Sequence, residues 1–187
     1  GKQVAYIYAV ATRRQYRGRG LCRRLMDRAH RILRERGYAG AVLVPQSEGL
    51  FAMYEKMGYR PCGGIRRLFA SAAAPIPLSP LTLNQWNARR EQMLPEGGVA
   101  LTEDTAAYLG AMARFWGNED LLLAAVREEG VLHGIELLGE AAAAPGILGA
   151  LGCEEGNFLT PGDMPFAMYH SLDGITPPPT YLGIAFD

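Results

Sequence analysis

Apolar and polar positions alternate between two periods along this chain, and the switches between them outline its elements. Residues 4–12, VAYIYAVAT, are apolar without strict alternation, which predicts a strand covered on both faces. After a stretch of arginine and glycine, Leu21, Leu25, Ala29, Ile32 and Leu33 recur at helical spacing. Arg23, Arg24, Asp27, Arg28, Arg31 and Glu35 fill the other face, so an amphipathic helix is predicted, with Gly37 suited to a left-handed cap. AGAVLV at 39–44 is a second short apolar run, stopped by Pro45. Strand, helix and strand make a βαβ unit, which implies parallel strands and a right-handed crossover. SEGLFAMYEKMGY then predicts a shorter helix with Leu50, Phe51, Tyr54 and Met57 on one side, ending at Gly58. A further strand is predicted through Tyr59 to Ala70, broken near Gly63-Gly64.

The pattern changes at 71–80, SAAAPIPLSP, a small-residue and proline-rich segment that reads as a linker between a domain at 1–70 and a second α+β domain at 81–187. Thr82 with Gln85 three residues on is a capping box opening a helix to about Leu94. Thr102, followed by Glu103 and Asp104, opens another to about Trp116. LLLAAV and VLHGIELL flank Arg-Glu-Glu-Gly and predict a β-hairpin. AAAAPGILGAL reads as a poor helix interrupted by Pro145 and Gly146, and FAMYHSL and TYLGIAFD as closing strands. The fold class is α/β (α+β), without a repeat of fixed period.

Composition narrows the function classes. With 49% hydrophobic residues in 187, the chain can bury a full core. Its net charge of zero conceals a division: residues 1–70 carry 15 Lys and Arg against 4 Asp and Glu, and residues 71–187 carry 4 against 15. A basic half that meets an anion, or two halves that attract each other, would give such a split. Cys22, Cys62 and Cys153 are odd in number and contain no CxxC pair, so neither a disulfide framework nor a metal site is expected. No apolar run approaches the roughly 20 residues of a membrane helix. A soluble, cytoplasmic protein is the expectation. The chain has no initiating Met and is strand-like by Val4, which suggests that a segment precedes it.

Between Thr12 and Leu25, TRRQYRGRGLCRRL sets six arginines around two glycines at the predicted strand-to-helix turn. The dinucleotide fingerprint requires a third glycine where Arg23 stands and an acid where the next strand ends Val44-Pro45-Gln46, so it fails. A Walker loop requires Gly-Lys-Ser/Thr, which is absent. Gln15-x-x-Gly18-x-Gly20 does match the Q/R-x-x-G-x-G/A motif, and with it residues 3–70 resemble the central, coenzyme-binding part of the GCN5-related N-acetyltransferase (GNAT) family. The pattern has a physical basis: glycines let backbone N–H groups approach a pyrophosphate at a helix N-terminus whose partial charge favours an anion. Arg13, Arg14, Arg17 and Arg19 would surround that anion; the alternative is an ordinary glycine turn with solvated arginines. Ser47 to Tyr59 supplies a second match, the closing Tyr54-x-x-x-Gly58-Tyr59, although Ser47 stands where the family commonly has Asn and Leu50 where it commonly has a small residue.

The resemblance implies a mixed sheet flanked by helices and acetyl-CoA as co-substrate. Carried over residue by residue, it implies coenzyme contacts from Val10, Ala11, Thr12, Gln15, Tyr16, Arg17, Gly18, Arg19, Gly20, Leu21 and Ser47. It also makes Tyr54, otherwise an amphipathic-helix core aromatic, the acid that protonates the departing thiolate. A phenol of reference pKa about 10 holds its proton at neutral pH and can serve a thiolate of pKa near 8–9. An N–H near Val10 would polarise the thioester carbonyl. The acceptor would be a small-molecule or peptide amine, with no nucleic acid, no membrane and no metal, and a homodimer is compatible with it. No base for the amine is identifiable, and His30 reads as a surface residue.

The family's first three strands and first two helices would precede Gly1. The order helix, helix, hairpin over 81–138 is that expected at the start of a second, degenerate copy of the fold. Its acidic surface would dock on the basic half, with His133, Glu136, Phe115 and Trp116 as candidate pocket residues. Two other function classes stay open: a non-catalytic acyl-CoA-binding or regulatory domain, and a basic nucleic-acid-binding module.

Overall fold

The computed structural model describes residues 1–185, and within them the chain divides into two compact units. Of the described residues, the first comprises 1–63, 165–179 and 185; the second comprises 64–164 and 180–184.

In the first unit, β1 (Val4–Tyr6) pairs in parallel with β2 (Gly40–Leu43) across α1 (Leu21–Glu35), which is the expected βαβ unit. On its other edge β2 pairs antiparallel with β9 (Met164–Ser171), Gly40 opposite Ser171 and Leu43 opposite Met168. The central strand β2 is buried throughout, as its unbroken apolar run requires. The first strand is shorter than predicted and only half-buried, because Ala9 takes φ 55°, in the left-handed region, and turns the chain out of the ladder. The buried face of α1 also differs from the leucine stripe. Cys22, Met26, His30 and Leu33 face inward, while Leu21, Leu25 and Ile32 are exposed. The shift places His30, with its hydrogen-bonding ring, where hydropathy alone would put a leucine. After α2 (Glu48–Glu55), the unit's apolar cluster is Met26, Leu43, Tyr54, Tyr59 and Met168.

The strand β3 (Arg60–Ser71) runs unbroken through Gly63-Gly64, where the division between units falls. In the second unit the strands are ordered β3, β8 (Glu155–Pro161), β7 (Val131–Gly139), β6 (Leu121–Glu128), β5 (Arg114–Gly117) and β4 (Ser79–Leu81). The β7 and β8 strands are parallel, and the other pairs are antiparallel. The predicted hairpin is β6–β7, with a register shift at Ala124/Ala125. The capping box opens α3 (Leu83–Met93): the Gln85 N–H donates to Thr82 Oγ1 at 3.3 Å and the Thr82 N–H to Gln85 Oε1 at 2.9 Å.

Three expectations are corrected here. The helix from Thr102, α4 (Glu103–Met112), stops early because Phe115 and Trp116 join β5, pairing with Ala124 and Leu123. Pro145 sits in the first turn of α5 (Ala144–Leu151), where its missing N–H costs nothing, so it starts that helix rather than interrupting it. The TYLGIAFD segment forms only an isolated bridge, Gly98 to Tyr181, and its last two residues, Phe186 and Asp187, lie outside the described residues. A face of the sheet holding Leu121, Leu123, Leu132 and Phe158 packs with Ile147 and Leu148 of α5.

Candidate active site

The turn between β1 and α1 is built by backbone conformation. Past Ala9, residues Val10 to Thr12 are loop, and a single 3-10 turn follows at Arg14–Tyr16, closed by the Tyr16 N–H donating to the Arg13 carbonyl at 2.8 Å. Arg17 Nε donates to the Thr12 carbonyl at 3.1 Å and pins the turn. Gly18 and Gly20 then take φ 75° and 69°. A side chain in that conformation costs about 1–2 kcal/mol, although a Cβ at either position would meet nothing within 4 Å. The two glycines serve conformation and leave open space beside the turn.

Gly20 is the N-cap of α1, with no side chain capping it. The first intrahelical bond runs from the Arg24 N–H to the Gly20 carbonyl at 3.1 Å. The N–H groups of Leu21, Cys22 and Arg23 precede it and have no acceptor within the helix. An uncapped N-terminus of a 15-residue helix is thus presented to an open turn, an arrangement suited to an anion. Charge strengthens it. Arg13, Arg14, Arg17 and Arg19 are exposed, and among the described residues the ion pairs are Lys2–Asp173 and Arg90–Glu136, so no carboxylate neutralises the turn. Arg19 lies 5.5 Å from the centre of the Tyr16 ring.

A cleft of about 550 Å³ runs from this turn to α2. Of the residues singled out in the sequence, Val10, Ala11, Thr12, Tyr16, Arg17, Gly18, Gly20, Leu21 and Tyr54 line it together. Gln15, Arg19 and Ser47 do not; Ser47 is the N-cap of α2, its side chain making no capping bond. Cys22, Leu50 and Met53 line it as well and were not foreseen. The 3- and 4-residue spacing from Leu50 to Met53 and Tyr54 carried that signal, since it sets all three on one side of α2.

Tyr54 is 6% exposed, and its hydroxyl makes no hydrogen bond to another described residue. Burial, and then the neighbouring Cys22, push its pKa above the ordinary phenol value, so it remains protonated across the neutral range. Burial raises the Cys22 thiol too, which keeps a thiolate out of the cleft wall at neutral pH. Among the described residues, no carboxylate or imidazole lines this cleft.

His30 is not a surface residue. It is 6% exposed and lies 2.7 Å, Nε2 to hydroxyl, from Tyr59. The candidates of the second unit have structural partners. Glu136 accepts two bonds from Arg90, the Asn157 amide donates to His133 Nδ1 at 3.0 Å, Phe115 lies 4.9 Å from Trp86 between ring centres, and Trp116 packs on the apolar core.

Residues 2–62 match the family model of the acetyltransferase (GNAT) domain. No curated protein matches the chain. Among solved structures, it is similar to a GCN5-related N-acetyltransferase from Kribbella flavida, with TM-score 0.66, 19% identity, and coverage of 91% of this chain and 53% of that one. A GCN5-related N-acetyltransferase from Anabaena variabilis gives TM-score 0.65 at 17% identity over 90% and 55% of the two chains. Eis1 from Mycobacterium abscessus gives 0.61 at 13% over 91% and 56%. The chain spans about half the length of these structures. The glycine turn, the uncapped helix and the tyrosine of α2 all fall inside the matched segment: residues 2–62 are a stretch of the GCN5-related N-acetyltransferase family, and the chain has that family's fold.

Proposed function

We propose that the chain carries the coenzyme half of an acetyl-CoA-dependent N-acetyltransferase whose acceptor is a small-molecule or peptide amine. The observation that carries this reading is one cleft joining a left-handed glycine turn, an uncapped helix N-terminus and a buried, protonated tyrosine. Acetyl-CoA supplies a thioester whose carbonyl carbon an amine attacks directly, the C–S bond breaking as the N–C bond forms.

The chain's own residues divide the remaining work. Backbone N–H groups of Gly18 to Arg23 would hold the pyrophosphate, with Arg13, Arg14, Arg17 and Arg19 supplying counter-charge. The backbone from Val10 to Thr12 would lie along the pantetheine arm, a Val10 N–H polarising the thioester oxygen. Tyr54 holds a proton at its hydroxyl for the departing sulfur, and burial keeps that proton in place at neutral pH until the thiolate forms beside it. The proton released by the amine goes to a base outside this cleft or to water.

Calorimetry with acetyl-CoA, followed by thiol release against a panel of amines, tests the proposal. Binding and turnover are expected, with Tyr54→Phe lowering kcat by about 10²-fold, the low end of the range for a lost general acid. Absence of acetyl-CoA binding by the folded chain would sink it. A second reading is a domain that binds acyl-CoA without transferring it, since no described residue of the cleft offers a carboxylate or imidazole as base. Binding with no thiol release against any amine is its distinguishing outcome. Nucleic-acid affinity falling steeply with salt would instead mark a phosphate-backbone binder.

A further inference from the structure

Behind Tyr54 lies a polar cluster, buried at His30 and Tyr59 and half-buried at His170, that the reaction described above does not use. The Tyr54 and Tyr59 rings meet edge to face, 5.6 Å between centroids. The Tyr59 hydroxyl is 2.7 Å from His30 Nε2, and the His30 ring stacks on His170 at 4.3 Å and 11°. His170 Nδ1–H in turn donates to the Gly58 carbonyl at 3.1 Å, the residue before Tyr59, which closes the ring of contacts. The links come from α1, from the end of α2 and from β9, so three elements converge on one aromatic ring.

Burying an imidazole and a phenol among Met26, Leu43 and Met168 costs more than burying leucines would unless each polar atom is bonded. A cluster meant only to fill space would do better without them. What this one achieves is directional: the Tyr59 hydroxyl can satisfy its bond to His30 in only a narrow range of ring orientations. Tyr54, which has no hydrogen bond of its own to another described residue, takes its orientation from the rings and side chains against which it packs.

We propose that Tyr59 and His30 are positioning residues for Tyr54, holding its hydroxyl toward the cleft through the bonded Tyr59 ring. The proposal rests on the acid role given above to Tyr54. Burial first, and the neighbouring His170 second, hold His30 down to about 4, so the pair stays neutral and adds no charge beside the acid.

The test is a double-mutant cycle on the whole chain, with thermal unfolding to confirm folding and ring NMR of labelled tyrosine as a readout independent of turnover. Tyr59→Phe retains the ring and breaks the bond to His30. It is expected to lower kcat about tenfold, as a small misplacement of a reacting group does, with KM for acetyl-CoA unchanged within about twofold. His30→Gln, which can still hydrogen-bond the Tyr59 hydroxyl, is expected to lose less than His30→Leu. In a Tyr54→Phe background, Tyr59→Phe should have no further effect; an equal loss in both backgrounds, or no loss in either, would overturn the proposal. If Tyr54→Phe proves kinetically silent, it is the acid role that falls. The NMR arm then decides the positioning: faster flipping of the Tyr54 ring in Tyr59→Phe and His30→Leu sustains it, and an unchanged Tyr54 ring overturns it.

Discussion

Replacing Glu136 by Gln should cost the second unit a large part of its stability. Arg90 and Glu136 are both fully buried, with Arg90 Nε donating to Oε2 at 2.6 Å and Nη2 to Oε1 at 2.9 Å. Two further guanidinium hydrogens go to the carbonyls of Val99, at 2.9 Å, and Leu182, at 3.3 Å, and the Trp86 ring lies 5.8 Å away. Glu136→Gln changes almost no volume but leaves a buried cation without a counter-charge, for which breaking a buried pair gives about 3–5 kcal/mol. A domain of ordinary stability has about 5–15 kcal/mol in total, so the loss spans about a fifth of it to all of it. Both tryptophans of the chain, Trp86 and Trp116, lie in the second unit, so intrinsic fluorescence during urea unfolding reports on that unit. With a urea m-value of about 1–3 kcal/mol/M, the midpoint should fall by at least about 1 M. The control is Arg90→Met with Glu136→Leu, which removes both charges while keeping the volume filled. It should recover most of the loss, short of what the Val99 and Leu182 carbonyls forfeit. A shift worth less than about 1 kcal/mol for Glu136→Gln would refute the reasoning, and a double variant no better than the single one would show that shape, not charge, sets the cost.

Acid should weaken the first unit earlier than carboxylate protonation explains. His30 is lowered from 6.5 to about 4 in the folded chain, so the unfolded chain binds the extra proton and stability falls as pH drops from about 6.5 to about 4, then levels. The full loss is at most about 3 kcal/mol, and in urea titrations followed by ring NMR of the first unit His30→Gln should flatten that stretch of the curve. Below it, Asp173, held well under the usual carboxylate range by bonds from Thr176 and Ile175, should give a separate loss as it takes up its proton. Gly20→Ala introduces no clash, only a strained φ, and should cost about 1–2 kcal/mol in the turn. Acetyl-CoA affinity measured by calorimetry should drop about tenfold if that strain is relieved by opening the turn, and stay unchanged if the turn contributes nothing to binding.

Legibility in the sequence followed how local each determinant is. The helix α1, the buried strand β2, the capping box at Thr82 and the β6–β7 hairpin depend on residues within a few positions of one another, and each was readable from period, cap or turn chemistry. The glycine turn was readable for the same reason, because Gly18 and Gly20 are required by φ and not by a distant contact. His30 was misread because its burial depends on Tyr59 and His170, which come from elsewhere in the chain and satisfy its ring nitrogen and face. The strand β1 stopped short because Ala9 adopts a conformation that alanine rarely takes, and no local signal announces that. Trp116 was assigned to a helix end since nothing near it reveals the pairing with Leu123. The place of Cys22 in the cleft is not legible because the leucine stripe of α1 marks a side that the fold leaves exposed at Leu25 and Ile32.

The position of β9 has a consequence for how the chain is made. Strand β2 exposes Ala41, Val42 and Leu43 along an open edge until residues 168–171 arrive to pair with it. At about 5–20 residues per second of synthesis, that edge waits roughly 6–25 s on the ribosome after β2 itself has been made. During that interval it is an apolar template for other chains. A chain severed in the proline-rich stretch at 71–80 would stay in that condition permanently, so the glycine turn does not come with a finished sheet when cut out there: the sheet is completed only by translation of what lies beyond.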